Sequence, residues 1–225
     1  MPICEALHAW VNSLSALRFP FGVSQIPLNG IYVLFENGEV GHGGHRIVRV
    51  GTHTGHNQLT SRLRQHFLIE NKDRSIFRKN IGRALLNRDQ DPFLPLWELD
   101  RTARIMRDKH GGIDLERQRV VEGYVSEYIQ EQFSFVVMPI AEKTERLKLE
   151  SQLISTVSLC HGCRPSAQWL GLSSPKAKIR ESGLWLVNEL YKEPLSPVDL
   201  DRLSNRVVAG RGEALSAPGI KDAIS

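Results

Sequence analysis

Cysteine is scarce in this chain, with three among its 225 residues. A small, odd number of cysteines argues against a disulfide framework and is typical of proteins in a reducing compartment. No uninterrupted apolar run approaches the roughly 18 residues that a membrane-spanning helix needs. The N-terminal segment has no basic stretch ahead of an apolar one, so we expect no secretory signal. Together these absences predict a cytoplasmic location.

The composition is otherwise that of a folded protein with an uneven distribution of charge. Hydrophobic residues make up 41% of the chain, which is enough for a core, and the length fits one domain of above-average size or a small domain with an insertion. The net charge is only +4, yet residues 46–88 contain ten Lys or Arg and two acidic residues. Such a basic segment is typical of a surface that binds a polyanion, and a solvated helix face is the alternative.

Three segments are predicted to be strands of one sheet. GIYVLFE (30–36) and FSFVVMPI (133–140) are rich in β-branched and aromatic residues, which indicates buried strands. RIVRVG (46–51) mixes polar and apolar residues and indicates another strand. The glycine-rich segment GHGG (41–44) predicts a long, flexible loop before it.

Apolar residues at steps of three and four predict helices around these strands. The predicted helices cover residues 4–17, 58–68, 75–86, 115–130 and 142–160. In the helix over 75–86 we expect apolar side chains to point inward and basic ones outward, namely Ile76, Phe77, Ile81 and Leu85 against Arg78, Lys79 and Arg83.

Glu150 breaks the usual pattern of its predicted helix. It lies three residues after Leu147 and four before Ile154, on the stripe that these residues form with Leu153 and Val157. A carboxylate on an inward face must be paired, hydrogen-bonded or bound to a metal, because an isolated buried charge is very unfavourable. A metal ligand and a structural salt bridge are the two interpretations.

Arg62 and His66 are one helical turn apart, directly after a strand that ends in glycine, and so share one face of their helix. Together with the strand motifs before them and Glu150 after them, these two residues follow an order that resembles that of the GIY-YIG nuclease superfamily, over residues 29–171. The residues that carry the resemblance are Gly30-Ile31-Tyr32, Arg49-Val50-Gly51, Arg62-x-x-x-His66 and Glu150.

The resemblance implies an α/β fold of the α+β type, with a small three-stranded antiparallel sheet flanked by helices. Residues 29–86 and 133–175 would form the nuclease core, with an N-terminal helix and lead-in over 1–28. Residues 87–132 would be a helical insertion that could recognise a target, and 176–225 a C-terminal helix with a loosely held tail. The implied activity is divalent-metal-dependent hydrolysis of phosphodiester bonds in DNA by an endonuclease.

Roles for individual residues also follow from the resemblance. Tyr32 would contact the attacking water and help to deprotonate it, and Arg62 would stabilise charge on the phosphate. Glu150 would hold Mg²⁺ or Mn²⁺, and His66 would be an accessory acid, base or phosphate donor. The basic segment and the positions near the site, rather than the resemblance, supply the residues expected to contact nucleic acid, which are Arg49, His53, Arg64, Arg74, Arg78, Lys79 and Arg83.

Two positions depart from the family pattern. Arg49 replaces the second-strand tyrosine and cannot relay a proton, because it stays charged. The family usually has an asparagine after the metal-binding glutamate, and here Gln168, or less favourably Ser166, would supply that polar group. These departures leave open, as the alternative, a non-catalytic nucleic-acid-binding or regulatory protein on the same fold. An RNA-cleaving defence or toxin protein is a third possibility. DNA is the expected partner, with RNA and a homodimer left open.

Three further patterns have simpler interpretations. His42-x-x-His45 and His53-x-x-His56 could together form a four-histidine zinc site, but no cysteine or acidic residue shares the cluster and the glycines make the loop flexible, so we do not expect zinc there. Cys160-x-x-Cys163 resembles half of a zinc ribbon or a redox pair, and without a partner half we interpret it as two ordinary thiols. Trp169 is expected to anchor the core or a loop, with stacking on a base as the alternative.

Overall fold

A four-stranded antiparallel sheet forms the centre of the protein. The computed structural model describes residues 1–100 and 114–216, with side chains as far as residue 207. The strand order is β1-β4-β2-β3. The strands are β1 (Leu17–Arg18), β2 (Gly30–Gly41), β3 (Gly44–Gly51) and β4 (Phe133–Pro139).

The three predicted strands are present, but the expectation of a three-stranded sheet is wrong. The additional strand, β1, has two residues and pairs Leu17 with Phe135 of β4. It lies where the sequence predicted the end of the first helix, which instead stops at Asn12. Two residues are too few to show a strand period, so the sequence alone gives no signal for this strand.

Helices cover both faces of the sheet. One face, with Tyr32 and Leu34, packs against α2, α3 and α5, and the other, with Ile31 and Val33, packs against α1, α6 and α8. This division follows from the alternation of side chains along a strand. Among the described residues the helices are α1 (Ile3–Asn12), α2 (Leu59–Phe67), α3 (Ile76–Arg88), α4 (Leu94–Glu98), α5 (Leu115–Gln132), α6 (Lys143–Ser158), α7 (Ala177–Ser182) and α8 (Pro197–Ser216). None of these helices has both the length and the apolar character that a membrane span requires.

The connection between β2 and β3 is a tight turn, so the predicted flexible loop is wrong. Gly41 pairs with Gly44, which leaves His42 and Gly43 as the only turn residues, with φ values of 52° and 78°. Two consecutive positive φ values are the geometry of the hairpin turn that matches strand twist. The histidine therefore occupies a backbone conformation that usually favours glycine or asparagine.

The predicted outward-facing cations of α3 are buried, which corrects the sequence-based expectation. Arg78, Lys79 and Arg83 are at most 8% exposed, whereas Ile76, expected inside, is 42% exposed. Helix α3 is enclosed by the sheet, by α4 and α5, and by the 3₁₀ turn Leu170–Ser173. Each cation forms an ion pair with an acidic side chain, in the pairs Arg78–Glu122, Lys79–Asp73 and Arg83–Glu98, and Asp73 also pairs with Lys72. These three residues are therefore not available to a phosphate backbone.

The described part of the predicted insertion packs onto the core. The Trp97 side chain of α4 is fully buried, and its Nε1 donates a hydrogen bond to the Lys79 carbonyl at 3.0 Å. A Cβ at Gly82 would lie 2.4 Å from the Trp97 ring, so the glycine permits this close contact. Residues 101–113, and the predicted tail beyond residue 216, lie outside the described residues. Target recognition by 87–132 stays a prediction.

Candidate active site at the open end of the hairpin

The start of β2 and the end of β3 meet at the end of the hairpin opposite the turn. Tyr32 pairs with Gly51, and a Cβ at Gly51 would lie 2.2 Å from the Tyr32 hydroxyl oxygen. A Cβ at Gly30 would lie 2.3 Å from the Met138 carbonyl oxygen on β4. A side chain at either position would collide with these neighbouring atoms, so both positions require glycine. This is the physical reason for the glycines of the Gly-Ile-Tyr and Val-Gly motifs.

Tyr32 belongs to a buried chain of hydrogen bonds. Its hydroxyl is 2.7 Å from Nε2 of His66, and Nδ1 of His66 is 2.8 Å from Oγ of Ser75. The Ser75 side chain also caps α3 by accepting a hydrogen bond from the Arg78 amide. Burial lowers the pKa of His66 well below its usual value, and the positive charges of Arg62, Arg49 and Arg78 lower it further. The imidazole is therefore neutral, with one ring nitrogen donating and the other accepting.

The Tyr32 hydroxyl is covered in this structure. Tyr32 and His66 are both 0% exposed. The structure brings the two residues together as the resemblance implies, but the hydroxyl faces His66 and Gly51 and does not face solvent. A direct contact between this hydroxyl and an attacking water is therefore not part of the described conformation.

Replacing Tyr32 with phenylalanine is expected to destabilise the fold by about 1–3 kcal/mol. The change removes only the hydroxyl, so a buried nitrogen of His66 is left without its partner, and such a loss has this typical cost. Urea denaturation should show a lower midpoint with an unchanged slope. Tyr124→Phe is the matched control, because Tyr124 is 56% exposed and its substitution should leave the midpoint unchanged. Equal midpoints for the two variants would contradict the buried hydrogen bond.

Glu150 reaches the end of β3 from α6. One of its carboxylate oxygens accepts a hydrogen bond from the Thr52 amide at 3.0 Å. Burial raises the pKa of Glu150, and the nearby negative charge of Glu189 raises it further, whereas Arg49, the Thr52 amide and Arg62 lower it. The side chain is half-buried and forms no ion pair within the described residues. The structural salt bridge considered from the sequence is therefore absent there.

The predicted inward stripe of α6 needs one correction. Leu147 is 38% exposed, while Leu149 is buried together with Leu153, Ile154 and Val157. The inward face is thus rotated relative to the prediction, and Glu150 lies at its edge. That position explains how the carboxylate can touch both the core and the end of the sheet.

Arg62 lines a cleft beside this carboxylate. The cleft has a volume of about 320 Å³, and its walls include Thr52, His53, Arg62 and Gln65. Nη1 of Arg62 donates hydrogen bonds to Oε1 of Gln65 at 3.1 Å and to the Arg74 carbonyl at 3.2 Å. Across the described parts of the chain, Arg62 has no acidic partner. The guanidinium is partly exposed and is free to bind an anion in the cleft.

His53 has a different role from the predicted phosphate contact. Its Nδ1 donates to the Gly55 carbonyl at 2.8 Å, and its Nε2 accepts from the Gly30 amide at 3.3 Å. Burial lowers the pKa of His53, although the bond to Gly55 partly opposes the shift. Both ring nitrogens are used by the backbone, so this neutral histidine fixes the loop after β3 against the start of β2.

Arg49 is a buried cation behind the site. It is 3% exposed, and its guanidinium lies 5.1 Å from the centre of the Phe77 ring. Nη1 donates to the Trp185 carbonyl, while Nε is buried without a hydrogen-bond partner. Within the described residues it forms no ion pair, yet its charge lowers the pKa of both Glu150 and His66. Arg49 therefore adds positive potential to the site without reaching the surface.

Several predicted site residues are not brought to this cleft. Gln168 is exposed and lines a separate groove with Glu36, Glu39 and Trp169, towards the turn end of β2. Nε1 of Trp169 donates to the Glu36 carboxylate at 2.7 Å, so this ring is a core anchor and is not available to a base. Among the predicted nucleic-acid contacts, Arg64 and Arg74 are exposed on α2 and on the loop after it.

Glu189, which the sequence analysis did not single out, lies near Glu150. The Trp185 amide donates to the Val48 carbonyl at 2.8 Å, so the segment after α7 runs along the free edge of β3. Glu189, four residues later, is close enough to raise the pKa of Glu150. Between them stands Asn188, which is exposed. It is the amide residue type that the family pattern calls for, but it lies further along the chain than Gln168.

Comparison with known proteins agrees with the motifs. A family model described as "GIY-YIG domain" matches residues 3–211 of the chain. No curated protein and no solved structure gives a significant match.

Proposed function

Because the chain belongs to the GIY-YIG domain family, whose members are generally endonucleases, we propose that it is a divalent-metal-dependent endonuclease that hydrolyses phosphodiester bonds in DNA. The observation that carries the proposal is Glu150. This carboxylate is half-buried, has a raised pKa and, among the described side chains, forms no ion pair. It adjoins a cleft that contains the unpaired guanidinium of Arg62.

The surroundings of Glu150 fit Mg²⁺ or Mn²⁺. One oxygen is oriented by the Thr52 amide, and the other makes no hydrogen bond within the described part of the chain. Mg²⁺ commonly binds through one or two carboxylates and keeps several waters, so a single protein oxygen is a sufficient anchor. When bound, such a cation supplies an activated water or neutralises charge on the leaving oxygen.

The roles of the other residues follow from their positions. Arg62 would bind the phosphate and stabilise the charge that develops on its oxygens. Arg49 would keep Glu150 ionised and make the cleft more attractive to an anion. For Tyr32 and His66 we propose a positioning role, because their covered hydrogen bond holds the ends of β2 and α2 together. Asn188 replaces Gln168 as the proposed amide near the metal, and Asn188→Ala in the assay below tests that role.

The second candidate function is nucleic-acid binding without cleavage. Its support is the covered hydroxyl of Tyr32 together with Arg49 in place of a tyrosine. The two functions differ in one measurement. Supercoiled plasmid incubated with the protein and Mg²⁺ is nicked or linearised by an endonuclease and is only retarded by a binding protein, and a matched RNA substrate separates DNA from RNA cleavage.

Arg62→Ala is expected to lower the rate of plasmid cleavage by roughly a hundredfold to a thousandfold, the usual effect of removing one group that stabilises transition-state charge. The fold should be preserved, since the side chain is partly exposed and has no ion pair in the described residues. Arg64→Ala is the matched control, because Arg64 is on the same helix and exposed. Its loss should alter binding a few-fold at most. Equal rates for Arg62→Ala and wild type would remove Arg62 from the chemistry.

A further inference from the structure

A second cluster of polar side chains lies at the other end of the hairpin, beside the tight turn. It joins two residues of α1, one turn residue and one residue of the loop after α6, namely Cys4, His8, His42 and Cys163. Their potential ligand atoms all lie within 4.8 Å of one another. We propose that these four residues bind a structural zinc ion that joins the N-terminal helix, the hairpin turn and the loop.

The orientation of His8 suits a metal ligand. Its Nδ1 donates to the Cys4 carbonyl at 2.9 Å, which leaves the ring lone pair on Nε2. In this structure Nε2 accepts a hydrogen bond from the Ile47 amide at 3.2 Å and lies 3.2 Å from Sγ of Cys163, and a zinc ion would replace the amide hydrogen as the partner of this lone pair. Metal-binding histidines usually donate the other ring N–H to a carbonyl or carboxylate in this way.

The types of donor select zinc over harder cations. Two sulfurs and two imidazole nitrogens form a complete tetrahedral set, and the set contains no carboxylate that would favour Mg²⁺ or Ca²⁺. Cys4, His8 and Cys163 are at most 3% exposed, so the site is closed, as structural zinc sites are. Two thiolates and two neutral imidazoles balance the charge of Zn²⁺.

The two thiol sulfurs lie close together in a buried place. Sγ of Cys4 and Sγ of Cys163 are within 4.8 Å of each other, and both residues are 3% exposed. Two thiolates held this close without solvent require a cation, and a bound zinc ion would supply it.

The backbone at His42 gives independent support. A histidine with φ of 52° in a two-residue turn is strained relative to asparagine or glycine, and such strain is concentrated at functional positions. The turn places the imidazole against the cluster, where its ring centre is 4.9 Å from that of His8. Nε2 of His42 is also 3.3 Å from Sγ of Cys160, which makes Cys160 the competing fourth donor.

The test measures the zinc content of the full-length chain after purification under reducing conditions, exposure to equimolar Zn²⁺ and removal of unbound metal. We expect one zinc ion per chain by mass spectrometry, and with Co²⁺ a thiolate charge-transfer band and the visible bands of a tetrahedral site. His42→Asn and Cys163→Ser should each lose the bound metal. Asparagine tolerates the turn conformation, so the first variant should remain folded, as circular dichroism would verify.

Two controls define the donor set. His45→Asn changes an exposed histidine on the adjacent strand and should retain the zinc. Cys160→Ser should also retain it, and loss of zinc from this variant would overturn the proposed set of four ligands, because it would make Cys160 one of them. A wild-type chain that takes up no zinc, or one whose native mass shows a disulfide between Cys4 and Cys163, would overturn the site. None of these readouts depends on cleavage of nucleic acid, so the result is independent of the proposed nuclease activity.

Chelation should also lower the melting temperature of the wild-type protein and leave that of His42→Asn unchanged. A ligand that binds only the folded state stabilises it by mass action, and structural zinc sites commonly contribute to folding directly. An unchanged melting temperature for wild type after complete removal of zinc would contradict a structural role.

Discussion

Glu150→Gln is expected to reduce plasmid cleavage to the level of metal-free protein while leaving the fold and DNA binding intact. Glutamine keeps the shape and can still accept the hydrogen bond from Thr52, but it lacks the charge that holds a divalent cation. Cleavage should be measured over a Mg²⁺ titration, with binding measured separately by retardation. Glu142→Gln is the control, because Glu142 is an exposed acid at the start of the same helix. This variant should cleave the plasmid at the wild-type rate.

The same substitution has a distinct effect on stability. Because burial raises the pKa of Glu150, the folded state binds its proton more readily than the unfolded state does. The stabilising contribution of this group is thus greatest at low pH and is lost as the pH rises through the raised pKa. At neutral pH without metal, Glu150→Gln should melt at the same temperature as wild type or slightly above it. A protein with a structural ion pair at Glu150 would instead be destabilised by the change.

Added Mg²⁺ sharpens the test of the metal site. It should raise the melting temperature of wild type and have no effect on Glu150→Gln, because binding to the folded state alone is what stabilises it. At subsaturating Mg²⁺ the cleavage rate should fall as the pH is lowered, since the ionised carboxylate is the metal-binding form. A destabilised variant, with no Mg²⁺ effect in either protein, would reject Glu150 as a metal ligand.

Breaking the ion pair between Arg78 and Glu122 is expected to cost about 3–5 kcal/mol of unfolding free energy. Arg78 is 0% exposed and Glu122 is 2% exposed, and Nη2 of the arginine lies 2.7 Å from Oε2 of the glutamate. Arg78 also donates to the Ser126 hydroxyl and the His66 carbonyl. The pair therefore supports the helix that carries Arg62.

The two single substitutions should lower the free energy of unfolding by different amounts. Glu122 can become neutral when Arg78 is replaced by methionine, and burial already raises its pKa. Arg78 cannot lose its proton when Glu122 is replaced by glutamine, so Glu122→Gln should be the more destabilising change. Urea denaturation of both variants measures the difference. The control pair is Arg119 and Glu116, which are exposed, and its disruption should cost less than about 1 kcal/mol. Similar losses of unfolding free energy for the buried and the exposed pair would contradict the prediction that burial makes the Arg78–Glu122 pair costly to break.

The local parts of the fold and site were predictable because their signals are local. Gly51 is constrained by its close contact with Tyr32, and Gly30 by its close contact with Met138 of β4, so the motifs record these two constraints directly. Arg62 and His66 share a helix, and their spacing is enough to place them together. The length and apolar pattern of the larger strands likewise show which segments enter the sheet.

The errors concern contacts between distant segments. The cations of α3 look like a solvated face because their partners Glu122 and Glu98 come from other helices, which no spacing rule connects to them. Gln168 is nearer to Glu150 in sequence than Asn188 is, but the edge of β3 brings the later segment to the site. The proposed zinc cluster has no sequence signal for the same reason, since its two cysteines and two histidines belong to three segments.

The order of strands in the sheet has a consequence for synthesis of the chain. Strand β4 lies between β1 and β2, and its pairing joins Gly30 to Pro139, about a hundred residues later. On the ribosome, β2 and β3 can pair as soon as they emerge, but the other edge of β2 must wait for β4. At translation rates of roughly 5–20 residues per second, that interval is on the order of 5–20 s. During it the apolar run Ile31–Phe35 presents an unpaired edge, which is the kind of edge that can pair with another chain unless it is shielded.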